Sequence, residues 1–237
     1  MKTGFYNVLY SLVSNLAIGL CFVPFLFLCW KKMRQDKAYW MVGIYWLTNG
    51  LINLFNLGLD FGNSPTASVL EAKLTFLYNV LDTPVLLLLF FYAASGKKRK
   101  NHILMSMLLF VCLEAILLGW KGYTFTSSTM IIGGGLLMVL IYSVTGLMQY
   151  MKQMEHTPFE NSMVFVYAAL LFAYGSFTII YLFTHLHRGD FIDKRDSFLL
   201  YYISLFLAAL ITSMGLYSYV IRRTAMARNA SYSSSSS

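Results

Sequence analysis

Seven apolar stretches, each about as long as the hydrocarbon core of a bilayer is thick, decide what this chain of 237 residues can become. They cover residues 6–30, 39–59, 74–94, 103–120, 130–150, 163–185 and 198–221. A helix needs roughly 17–25 residues to cross that core. In lipid every backbone N–H and C=O must be paired within the structure, which makes each such run a helix. The breaks between them are polar and short, such as KKMRQDK, SGKKRKNH and MKQMEHTPFEN. Short connections leave neighbouring spans antiparallel and adjacent. The expected fold is all-α, one seven-transmembrane-helix domain over residues 1–223. A serine-rich cytoplasmic tail over 224–237 has too little apolar surface to pack and is expected to be disordered.

Charge places the spans. Only 12% of residues are charged and the mean hydropathy is +0.61, against about 25% charged residues in soluble domains. The net charge of +8 does not point to nucleic acid, because the basic residues sit in short loops between spans. Twelve of the 18 lysines and arginines fall on one side, among them Lys31, Lys37, Lys97, Lys98, Arg99, Lys100, Lys152, Arg222 and Arg223. The positive-inside rule then puts the N-terminus outside and the C-terminus in the cytoplasm. The expected location is the plasma (inner) membrane, crossed several times. Cys21, Cys29 and Cys112 all lie in apolar runs, a pattern of packing residues rather than of disulfides or a zinc motif.

The third span reads LTFLYNVLDTPVLLLLFFY and carries Asp82. At about 1.5 Å per residue, this carboxyl lies roughly 12 Å inside the helix end. An acid at that depth must be paired, protonated or facing water, and is read as functional by default. Pro84 removes a backbone donor one turn beyond Val80 and is expected to bend the helix near the acid. Tyr78 stands one turn before Asp82, at hydrogen-bonding spacing. On the second span Asn49, Asn53, Asn56 and Asp60 follow one helical face. Such amides either tie helices together or line a wet cavity, and the cavity is the preferred reading. Glu114 lies near the outer end of the fourth span, so three successive spans carry polar groups in their outer halves. Asp82 and Glu114 would share a proton if they approached each other.

Tyr167, Tyr174 and Tyr181 recur every seven residues on the sixth span. Tyr174, near mid-span, fits an interfacial aromatic belt poorly and is assigned to the cavity. Tyr201, Ser204, Ala208, Thr212, Gly215 and Tyr219 trace a small-and-polar stripe on the seventh span, and Gly133–Gly135 open the fifth; both point to close helix packing. His102, His156, His185 and His187 all fall at span edges. No metal-ligand motif, serine–histidine–acid set, phosphate loop or dinucleotide motif occurs. Neither catalysis nor a resident metal is expected; the outer loop with His185, His187, Asp190, Asp193 and Asp196 matches no specific motif.

The segment LYNVLDTPVLLLL, with Asp82, Thr83, Pro84 and Leu86 to Leu89, resembles the third helix of the microbial rhodopsins. That resemblance implies a seven-helix fold with a polar centre. The last span, FLLYYISLFLAALITSMGLYSYVI, contains no lysine, so covalent retinal is not expected, whereas a non-covalent apolar ligand is compatible with it. The first expectation is a sensory or small-ligand-binding module. Its outward-biased pocket at Asn53, Asp82 and Glu114 would take a small molecule, lipid or ion, and it would signal to a separate protein. The alternatives are a proton- or cation-coupled transporter or channel using Asp82 and Glu114, and a membrane scaffolding subunit.

Overall fold

A computed structural model describes the backbone of residues 2–31, 33, 36–60, 65–122, 124–183 and 194–234. Side chains 2–7, 58–60, 65–68, 71–72, 194–196 and 225–234 lie outside that description. Seven helices follow one another: α1 (Lys2–Trp30), α2 (Lys37–Asp60), α3 (Pro65–Ala93), α4 (Lys97–Lys121), α5 (Phe125–Lys152), α6 (Pro158–Tyr181) and α7 (Lys194–Ser234). Among the described residues there is no strand.

Every helix packs on its chain neighbour, α7 closes back on α1, and α3 reaches past α4 to α5. The result is a ring of helices in which α4 is the outermost. Its buried face is one thin stripe, Ile103, Phe110 and Glu114, while Leu108, Leu109, Leu113 and Ile116 on the same helix are exposed. An apolar outer surface of that kind is what a lipid solvent allows.

Among the described residues six helices are long and apolar enough to cross a membrane: all except α2. The chain is therefore an α-helical, multi-pass membrane protein. What sets α2 apart is the set of amides the sequence singles out. Its inward face runs from large, mainly apolar residues to amides: Tyr39, Val42, Trp46, Asn49 and Asn53 are all buried. The low hydropathy of α2 thus comes from side chains turned into the bundle rather than toward its surroundings.

Two helices start on reciprocal caps. Thr157 accepts from the Glu160 N–H at 3.2 Å while Glu160 accepts from the Thr157 N–H at 2.9 Å, and Thr124 with Ser127 forms the same box on α5. Such boxes satisfy first-turn donors that have no partner within the helix. α1 and α3 continue as helices through Pro24 and Pro84. The final helix runs to Ser234, through residues 224–234 of the expected tail. The segment RRTAMAR is rich in good helix formers and simply extends the preceding span.

Candidate functional site

The site is built on α2, α3, α6 and α7. Asp82 on α3 accepts a hydrogen bond through Oδ2 from the Tyr174 hydroxyl on α6. Tyr174 in turn accepts from the Tyr45 hydroxyl on α2 at 3.3 Å. Tyr78 on α3 donates to Asn49 Oδ1 on α2 at 2.7 Å. Asn49 Nδ2 turns back to the Tyr45 carbonyl at 3.4 Å, and Asn53 Nδ2 reaches both the Asn49 carbonyl at 2.9 Å and the Tyr201 hydroxyl on α7 at 3.2 Å. One polar network therefore crosses four helices, with a carboxyl at one end.

The carboxyl is unevenly served. Oδ2 has the Tyr174 donor, whereas Oδ1 is enclosed and has no hydrogen-bond partner. Tyr78, one turn earlier, gives its proton to Asn49 and stands beside the Asp82 carboxyl as well, so the residue that pairs with the acid within α3 also ties α3 to α2. Around the network lies an aromatic wall. Phe177 stacks on Tyr201 at 5.0 Å, Tyr201 meets Tyr202 edge-on at 5.2 Å, and Tyr174 tilts against Phe177 at 5.5 Å. These rings keep the polar groups apart from lipid, where the hydrogen bonds are stronger and an orphaned atom is more costly.

Five of the residues expected to form a site come together: Asp82, Asn49, Asn53, Tyr78 and Tyr174. Two do not join. The Asn56 side-chain oxygen Oδ1 is enclosed without a partner, one turn beyond the network. Glu114 is buried, 3% exposed, on the inward stripe of α4, and its Oε1 likewise has no partner. Among the described residues no hydrogen bond joins Glu114 to Asp82. The amides of Asn49 and Asn53 hold helices together. A partly open cavity lies at the other end of the bundle, against Arg99 and Gln149.

Tyr45 and Tyr201 belong to the network but were not assigned to it from sequence. Tyr45 precedes Asn49 by one turn and so continues the Asn49–Asn53 face; that spacing is the signal. Tyr201 was placed in a packing stripe, and nothing in its spacing says that it meets Asn53. No group of three metal-ligating residues occurs among the described residues, and positions 184–193 of the outer histidine–aspartate loop lie outside them.

Comparison with protein families, curated proteins and solved structures returns no match. What fold and site define together is a multi-pass helical membrane protein whose core holds a network of tyrosines and asparagines that ends on a carboxyl.

Proposed function

We propose that this protein is a seven-helix sensory or small-ligand-binding module of the plasma (inner) membrane. α2 serves as the seventh span, the N-terminus lies outside, and the basic loops face the cytoplasm. The observation that carries this reading is Asp82 Oδ1. A buried acceptor without a donor costs about 1–3 kcal/mol, and native structures keep few of them. A ligand that brings an amine or another donor to this oxygen would complete the site, and a bound proton would do so in its absence. Because the network joins α2, α3, α6 and α7, occupancy at Asp82 would bear on four helices at once. The basic loops at their far ends would pass that change to a separate protein.

A second reading, proton-coupled transport, is favoured by the run of hydroxyls from Tyr45 through Tyr174 to Asp82, since such a run can relay a proton. Glu114 would be the further acid in that scheme. Mass spectrometry of small molecules retained by gently extracted wild-type protein tests the first reading. A specific compound present in the wild type and lost in Asp82→Asn is the expected result. An empty wild type whose proteoliposomes show pH-driven flux, abolished by the same substitution, would transfer the assignment to transport.

A further inference from the structure

We infer that the basic end of the bundle carries a site for a single phosphoryl group, formed where α3, α4, α5 and α6 meet. A cavity lies there, lined by Ser95, Arg99, Gln149, Tyr150, Glu160 and Tyr167 among others. Its interior measures about 30 Å³, room for roughly two waters. The cavity is open on one side, so two oxygens of a phosphoryl group fit inside while the rest of the group stays at the mouth.

The lining has the right chemistry. Arg99 sits on the first turn of α4, with its guanidinium directed to Gln149 Oε1 and against Tyr167. A guanidinium presents a planar fork that suits phosphate oxygens in a way a neutral amide does not. Gln149 is held in place by its own bond to Ser95 Oγ at 3.0 Å, so the wall opposite Arg99 is fixed.

One acid faces the cavity, and it is already engaged. Glu160 Oε2 takes both the N–H and the hydroxyl of Thr157 at 2.9 Å, which directs its charge to the start of α6. Lys97 and Lys98 are exposed next to the cavity and would raise the local concentration of anions. The phosphoryl group could come from an anionic lipid headgroup or from a soluble phosphate; the chemistry at Arg99 is the same. The inference is independent of Asp82, at the opposite side of the network.

The test uses the full chain in nanodiscs of phosphatidylcholine, with or without added phosphatidic acid, and native mass spectrometry to count retained lipid. A parallel thermal-shift series adds inorganic phosphate to the phosphatidylcholine discs. Wild type is expected to retain phosphatidic acid over phosphatidylcholine if the source is lipid, or to be stabilised by inorganic phosphate if it is soluble. Arg99→Gln should weaken either effect by about tenfold or more, the worth of one charge-assisted contact. Gln149→Glu should do the same while keeping the fold, because the new carboxylate occupies the anion's place beside Arg99. Lys98→Gln removes an equal charge outside the cavity wall and should change little. Equal loss in Lys98→Gln and Arg99→Gln would overturn the site in favour of a diffuse basic surface. Indifference of the wild type to both phosphatidic acid and phosphate would overturn it outright.

Discussion

Asp82 and Tyr174 are the pair on which the residue-scale account turns. Tyr174 donates to the carboxyl, and its own oxygen is held by Tyr45. Tyr174→Phe should therefore destabilise the protein by about 1–3 kcal/mol, read as a lower midpoint in thermal unfolding, and should lose any ligand that Asp82→Asn loses. Tyr201→Phe removes an acceptor for Asn53 at the network's edge and should cost only about 0.5–1.5 kcal/mol, with ligand retained. Equal effects of the two changes would mean that the network has no centre. Asp82, Asn49, Asn53, Tyr78 and Tyr174 were legible in the sequence because a polar side chain deep in an apolar run has few bland explanations. Their pairing across helices was not legible. Whether Tyr78 also meets Asn49 on the next helix depends on the rotation of α2 against α3, which periodicity does not reveal. Glu114 shows the same limit, since depth along a span says nothing about which neighbour a side chain faces.

Between α5 and α6 the packing is set by glycines opposite tyrosines. A Cβ at Gly146 would stand 2.8 Å from the Tyr167 ring, and one at Gly133 would stand 2.8 Å from Tyr181 Cζ. The tyrosines at either end of the seven-residue repeat thus seat on α5, which leaves the middle one, Tyr174, directed at Asp82. Gly146→Ala should push α5 and α6 apart and cost about 1–3 kcal/mol. Gly119→Ala on α4 meets nothing within 4 Å and should be neutral or stabilising by up to about 1 kcal/mol through helix propensity alone. Thermal unfolding of the two variants side by side checks the contrast. Glycine as a packing residue was legible for Gly133–Gly135 and Gly215, since small residues in apolar spans mark close approach. Gly146, on the same span, belongs to that reading too, whereas the ring that each glycine meets lies on another helix and was not legible. At α6, Thr157→Ala should remove the cap and cost about 1 kcal/mol.

For the whole molecule, the account joins a polar core to a basic end. Accessibility labelling of single cysteines placed at residue 3 and in the loop at residue 98 should mark only the first in intact cells. Labelling of both from outside would overturn the assigned orientation. Seven spans are expected from hydropathy, and six of the described helices, all except α2, are long and apolar enough to cross a membrane. The helix that carries most of the network's amides is the one whose composition departs from the lipid-facing pattern. The central claim is that Asp82 is kept for what it binds and not for what it supports. Thermal unfolding of ligand-stripped wild type against Asp82→Asn tests this most directly, since the amide keeps an acceptor for Tyr174 and removes the acid. The account predicts that Asp82→Asn unfolds at or above the wild-type temperature, because a site with an unserved acceptor is held at the expense of stability. A midpoint well below wild type would contradict it and make Asp82 a structural strut.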